Sequence, residues 1–264
     1  VTSIDGLYIT NLCEDKIVVS DDVHKEMAEL RTKRKLCLSV SPVYKASKIA
    51  FKLCFLNARS LRKHMQDICA DLNYSSTDVN IFAETRFSPS DTNVMYDMNG
   101  YTLFRNDGRL TANNTRSYHG TAVYSRLDYF PGYPYCNNSN GIEITVTRFL
   151  NLPHISIIGI YSPPRTQVIQ LCQLLTAVFE KLSTNHNIFI GDFNVNWFNQ
   201  TQRAPLQDVF ARKNYRQLIS CSTTNNNTCI DHLFTNLPQS QIDCCILETY
   251  FSDHKAISAL VNTF

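Results

Sequence analysis

The chain has no run of apolar residues approaching the roughly 18 consecutive positions that a membrane-spanning helix requires. Its opening residues, Val1-Thr2-Ser3-Ile4-Asp5, lack the basic-then-apolar plan of a secretory leader. Membrane and secreted classes are therefore disfavoured, and the N-x-[ST] triplets at Asn73, Asn113 and Asn199 read as chance, because glycan addition needs the secretory route. Charge of one sign is also missing: 25 Lys and Arg against 23 Asp and Glu leave a formal +2. That excludes a chain-wide basic footprint, so any nucleic acid has to be held by local patches. No C-x-x-C pair occurs among the ten cysteines, which removes the short chelating pairs of zinc ribbons and fingers. A chain of 264 residues does not need disulfide staples, and the cysteines are expected to be reduced and mostly buried. The sequence lacks G-x-x-x-x-G-K-[ST] and so cannot bind ATP by that route. No repeat period or low-complexity tract is visible.

What is present, 44% hydrophobic and 18% charged residues, suffices for one large core, or one core with a small appendage. Val rather than Met at position 1 predicts a piece cut from a longer chain. In residues 21–35, Val23, Met27 and Leu30 form one stripe, with Asp21 and Asp22 at the start and a basic run at the end. This predicts a helix whose charges match its dipole. The run from Arg31 to Lys35 has a second reading, as a nuclear-import or nucleic-acid patch. Residues 39–47, with Pro42, read as a linker, and a domain boundary is expected near residue 45, dividing the chain into 1–44 and 45–264.

Beyond that point FKLCFLN alternates as a strand does, and SLRKHMQDICADL follows with Leu61, Met65, Ile68 and Leu72 at helical spacing. Further strands are expected at NIFAE, YTLFRND, GTAVYS, GIEITVTRF, HISIIGIYS, NIFIGDF, CIDHLFTN and AISALV. Helices are expected at QVIQLCQLLTAVFEKL, apolar nearly all round, and APLQDVFARKNYRQLI. Several strands succeed one another with no helix between, which favours an α/β or α+β sandwich with mixed sheets over a doubly wound parallel sheet.

Polar residues stand abruptly at the ends of the apolar runs: Asn57 after CFL, Glu84 after IFA, Tyr161 after IIGI and Asp192 after IFIG. Taken singly, each has a structural explanation; Asn57 can start a turn or cap the helix beginning near Leu61, and Glu84 can mark a strand end. Asp192 and Asn194, two apart, can point the same way at the end of a buried strand, or form a Gly-Asp turn. Two Asp-His dipeptides follow, Asp231-His232 and Asp253-His254, and either histidine can be a hydrogen-bonded core residue.

LNARSL at 56–61, AET at 83–85, GIYSPP at 159–164, GDFN at 191–194, IDHLFTN at 230–236 and SDHKAI at 252–257 together resemble the endonuclease/exonuclease/phosphatase (deoxyribonuclease I-like) superfamily. The resemblance spans about residues 48–264, and the IDHLFTN wording is similar to mobile-element endonucleases. It implies a four-layered α/β sandwich with two central mixed β-sheets flanked by helices, and metal-dependent phosphodiester hydrolysis of DNA. VTSIDGLYITN and KIVVSDDVHKEMAELR resemble the C-terminal end of Pif-type helicases, as in Helitron proteins of the Helentron kind. This implies an upstream helicase region in the same polypeptide and a nuclear location.

Carried over by position, the resemblance makes Glu84, Asn57 and Asp253 metal ligands for Mg²⁺, with Mn²⁺ as a substitute. Asp192 aligns or deprotonates the attacking water, Asn194 orients that water or a phosphate oxygen, and Tyr161 meets the phosphate or leaving group. His254, held by Asp231, stabilises developing charge, while His232 is structural. Pro164 stands where the family often has Asn, and His119 where a first glycine is common; His119 reads as a phosphate contact or as a tolerated surface residue. The acidic set makes electrostatic sense beside a phosphate only with a cation between them. Expected DNA-binding patches are Arg59, Arg62 and Lys63, or Arg105, Arg109 and Arg116, with Phe87, Tyr118 and Trp197 as stacking residues. The competing functions are a decayed DNA- or protein-binding module and a phosphoinositide or sphingolipid phosphoesterase of the same fold.

Overall fold

A computed structural model describes residues 50–108, 119–126, 141–149 and 152–262, and the backbone of three short strands outside them. The chain divides into two units, residues 1–49 and Ala50–Thr263. In the first, β1 (Ser3–Ile4) and β2 (Leu7–Tyr8) pair antiparallel. The helix expected over 21–35, the linker and the boundary near 45 lie outside the described residues, as do Arg109, Arg116 and Tyr118.

The second unit contains two six-stranded mixed sheets. One is built from β3 (Ala50–Asn57), β4 (Val79–Ala83), β5 (Tyr101–Asp107), β6 (Gly120–Arg126), β13 (Ile242–Leu247) and β14 (Ala256–Asn262), in the order β13-β14-β3-β4-β6-β5. The other uses β7 (Tyr135–Asn137), β8 (Glu143–Phe149), β9 (Leu152–Tyr161), β10 (His186–Asp192), β11 (Arg216–Gln217) and β12 (Asp231–Thr235), in the order β11-β12-β10-β9-β8-β7. Among the described residues only the pairs β3–β4 and β9–β10 run parallel. The helices are α1 (Leu61–Ala70), the single turn α2 (Leu72–Ser75), α3 (Val168–Lys181) and α4 (Gln200–Ala211).

Side-chain alternation sorts these elements into four layers. In β3, Phe51, Leu53 and Phe55 join Ile81, Ile157, Ile188, Ile190 and Leu233 in a core between the sheets. The alternate residues Cys54 and Leu56 face Leu61, Met65 and Ile68 of α1. A strand buried on both faces needs apolar residues at nearly every position, which is why the alternation expected of FKLCFLN stops at exposed Lys52 and Leu53 to Leu56 are all apolar and buried. On the outer face of the second sheet, Ile158, Ile160, Phe189 and Phe234 meet Leu171 and Leu175 of α3 and Leu206 and Phe210 of α4. The Phe210 and Phe234 rings stack with centroids 3.8 Å apart.

Local signals set the helix starts. Ser60 caps α1, its hydroxyl accepting from the Lys63 N–H at 3.3 Å, and Asn199 caps α4 by accepting from the Gln202 N–H at 3.1 Å. Asn57 therefore does not cap α1. The helix expected over 204–219 begins earlier and stops at Ala211, because Arg216 and Gln217 pair with β12 instead. In α3 only the stripe of Leu171, Cys172, Leu175 and Val178 is buried, and Ile169 is 56% exposed, so its apolar character all round is not matched by burial all round. β13 escapes sequence reading because an edge strand with one half-covered face has a weak alternation. Of the seven described cysteines all are free, but only Cys54, Cys172 and Cys229 are buried, and Cys69, Cys221 and Cys245 are exposed. The expectation of mostly buried thiols is corrected accordingly.

Candidate active site

Both sheets end key strands at one rim. Asn57 closes β3 in register with Ala83, the last residue of β4, so Glu84 follows directly beside it. Asp192 closes β10 with Asp231 on one flank and Tyr161 on the other, and Tyr161 is in register with Glu143. Gly191 precedes Asp192 because a Cβ there would collide with the backbone of Ile160.

The buried Asn57 amide staples the two sheets. Its Nδ2 donates to Glu84 Oε1 at 3.0 Å and to Asp192 Oδ2 at 2.9 Å, while its Oδ1 accepts from the Arg59 N–H at 3.0 Å. The Tyr161 hydroxyl donates to Glu84 Oε1 at 3.4 Å and lies 3.1 Å from His119 Nδ1. The Asn194 N–H donates to Asp192 Oδ1 at 3.0 Å, and its side-chain amide donates to the Ser162 carbonyl at 2.7 Å. Glu84 and Asn194 have φ of 50° and 51°, a conformation non-glycine residues adopt at a cost and which concentrates at functional sites. His254 Nδ1 lies 3.0 and 3.1 Å from the two Asp231 carboxylate oxygens, so the imidazole is oriented by a buried partner.

Charge follows from this crowding. Burial, then the Asp231 charge, push the Asp192 carboxyl up to about 7 against the opposing effects of His254, Asn57 and the Asn194 N–H. For His254, burial acts downward, but the charge and hydrogen bond of Asp231, with Asp192 and Asp253, outweigh it and raise the imidazole to about 9. Burial first, then Glu84, Asp192 and Glu143, push the Tyr161 phenol up.

Seven of the eight residues singled out from sequence thus meet in one hydrogen-bonded constellation: Asn57, Glu84, Tyr161, Asp192 and Asn194, with Asp231 and His254 beside them. Asp253 sits at its edge, where Oδ2 accepts from Arg59 Nη1 at 2.7 Å. Its Oδ1 is buried with no hydrogen-bond partner among the described residues. His232 is a core residue, as expected: Nε2 lies 2.8 Å from the Val195 carbonyl, Nδ1 lies 2.9 Å from Gln217 Nε2, and burial pushes it down to about 4.

Two expectations are corrected. Arg105 is no DNA contact, since its guanidinium binds Asp107 at 2.7 and 2.9 Å and the Ser88 carbonyl at 2.8 Å, and lies over the Phe87 ring. Phe87 is fully buried and offers no stacking face. Trp197 is half-buried, its ring packed against His232 and Phe234 at the edge of the core. Of the two readings of His119, the surface one is corrected, because its ring meets Tyr161, and burial lowers its pKa. One site residue, Glu143, was missed. Glu143 crosses between the sheets, both oxygens accepting from the Gly120 N–H at 3.0 and 3.1 Å. A carboxylate inside the apolar run GIEITVTRF was the available signal for it.

The donors suit a hard divalent cation. Carboxylate and amide oxygens predominate, Asp253 Oδ1 has an unused buried lone pair, and Asp192, Asp231 and His254 bring ligand atoms within 4.8 Å of one another. In that trio Nδ1 of His254 is already committed to Asp231, so the carboxylates are the better ligands.

Residues 155–258 match the family profile described as endonuclease-reverse transcriptase. An AP endonuclease from Archaeoglobus fulgidus has a similar structure, with TM-score 0.63, 14% identity and coverage of 80% of this chain and 99% of that one. The fold is that of the endonuclease/exonuclease/phosphatase superfamily. The endonuclease domain of TRAS1, a telomere-specific non-LTR retrotransposon, gives TM-score 0.59 at 12% identity, covering 81% of this chain and 98% of that one. The 3′ phosphatase NExo from Neisseria, bound to product DNA hairpin, gives 0.61 at 12% identity, covering 79% and 98%. No curated protein matches the chain.

Proposed function

We propose that this endonuclease/exonuclease/phosphatase-fold protein is a divalent-metal-dependent DNA endonuclease of a transposable element. The observation that carries the reading is the staple of Asn57 to both Glu84 and Asp192 beside the Asp231–His254 pair. A bound Mg²⁺, or Mn²⁺ in its place, supplies Lewis-acid stabilisation of charge on the phosphate oxygens. Glu84, Asn57 and Asp253 hold the cation. Asp192, fixed by the Asn57 amide and the Asn194 N–H, aligns the attacking water and takes its proton. Asn194 fixes the loop that presents this carboxylate, and Tyr161 meets the phosphate. His254, kept cationic and oriented by Asp231, faces the charge that develops on the phosphorane. An intact set of paired groups favours an active site over a decayed binding module. The similarity to a retrotransposon endonuclease domain and the endonuclease-reverse transcriptase profile favour DNA over a lipid phosphoester. An upstream helicase region of the same polypeptide and a nuclear location belong to this reading.

The test is nicking of supercoiled plasmid by purified protein with Mg²⁺, Mn²⁺ or EDTA, beside Asp192→Ala. The expected result is relaxation with either metal, none in EDTA, and a loss of about 10²–10⁴-fold in the variant. Cleavage that survives EDTA, or full activity in Asp192→Ala, refutes the assignment.

A further inference from the structure

We propose that Arg59 is the exchangeable counter-ion of this site: it holds Asp253 while no divalent cation is bound, and the cation releases it to grip a phosphate of the DNA backbone. The inference rests on the nuclease reading above and assigns a residue that the reading leaves unused.

Arg59 and Asp253 approach from opposite ends of the sequence, 194 residues apart, with Nη1 2.7 Å from Oδ2. Neither backbone depends on that contact. Arg59 sits in a left-handed turn, φ 53°, and its N–H donates to Asn57 Oδ1 at 3.0 Å. On the other side, Ser252 Oγ donates to the Asn57 carbonyl at 2.8 Å and accepts from the His254 N–H at 3.1 Å, which fixes the residues on both sides of Asp253. Both charged groups are thus delivered to one place by the end of β3, and the side-chain pair can open while both turns stay where they are.

The pair is also cheap to open. The two side chains are 50% and 40% exposed, and an ion pair so wet holds its partners by no more than about fivefold. Meanwhile Asp253 Oδ1 is buried without a partner. Half of this carboxylate is therefore held by a solvated guanidinium, and half is unsatisfied, a state that a divalent cation improves and an arginine does not. Arg62 differs in being drawn toward the buried Asp91, 3.6 Å away. Arg86 also reaches a proposed ligand, its Nη2 3.7 Å from Glu84 Oε2, but Arg59 makes the closer contact, a direct hydrogen bond to Asp253 at 2.7 Å. Once displaced, its five N–H donors stand at the mouth of an anionic site, where phosphate is the natural acceptor.

The experiment uses the full chain and two variants suited to a positive φ, Arg59→Asn and Arg59→Gly. Mn²⁺ affinity is measured by titration without DNA. Duplex affinity is measured against salt in EDTA and in Ca²⁺, with the duplex checked by gel to be intact. Both variants should bind Mn²⁺ about two- to fivefold tighter, because a competitor has been removed. In Ca²⁺ they should bind duplex more weakly than the parent, with the slope of log affinity against log salt smaller by about one. In EDTA parent and variants should bind duplex alike. Unchanged or weaker Mn²⁺ binding in both variants overturns the inference, as does a DNA defect equally large in EDTA. A parent that binds no Mn²⁺ overturns the nuclease reading with it, whereas a parent that binds Mn²⁺ beside unchanged variants overturns the role of Arg59 alone.

Discussion

Glu143→Gln should make the fold more resistant to alkaline pH. Glu143 is 3% exposed, and burial, with Asp107 and Glu84 adding like charge, pushes its carboxyl up to about 8 although the Gly120 N–H opposes the rise. The folded protein therefore binds this proton more tightly than the unfolded chain does. Stability from Glu143 is full below the ordinary glutamate value of 4.5 and is lost as pH climbs through about 8. At about 1.4 kcal/mol per pH unit, the loss across that window is on the order of 5 kcal/mol. Glutamine keeps the shape and one oxygen to accept from Gly120, but cannot ionise. Urea unfolding of parent and variant in EDTA, from pH 5 to 9, isolates the difference between them, so other titrating groups cancel. The variant should be nearly equal in stability to the parent at pH 5, gain on it up to about pH 8 and level off by pH 9. A difference that stays flat with pH, or a variant that loses ground at pH 9, refutes the view that Glu143 is buried in its neutral form.

His254→Gln retains a donor toward Asp231 but not the cationic ring, and should lower single-turnover nicking by about 10²–10⁴-fold. An unchanged rate in a folded variant removes His254 from the reaction. Phe210→Ala opens the outer core of α4 against Phe234 and should cost about 3–5 kcal/mol in chemical denaturation, with plasmid nicking intact at temperatures where the variant is folded. A loss under about 1 kcal/mol would mean that this stacked pair collapses freely on truncation.

The layers of this fold were legible because local chemistry dictates them. Residues such as Phe51, Leu53 and Phe55 on one side of β3, and Cys54 and Leu56 on the other, can only be buried twice over. The break from Ile190-Gly191 to Asp192 likewise marked a strand end that opens on a rim. The succession of strands without intervening helices pointed to a mixed-sheet sandwich, and the family resemblance carried by the motifs picked out the set Asn57, Glu84, Tyr161, Asp192, Asn194, Asp231, Asp253 and His254. Only the tertiary structure decided how these groups are paired. Asn57 binding two carboxylates from different sheets, Arg59 on Asp253, His119 on Tyr161 and Glu143 on Gly120 join residues between 23 and 194 positions apart. Periodicity tells which way a side chain points from its own strand. It does not tell which strand lies opposite, because that depends on how the two sheets stack, and the stacking is set by the whole core at once. For the same reason Arg105 and Phe87, which look available in sequence, are consumed by neighbours that only folding supplies.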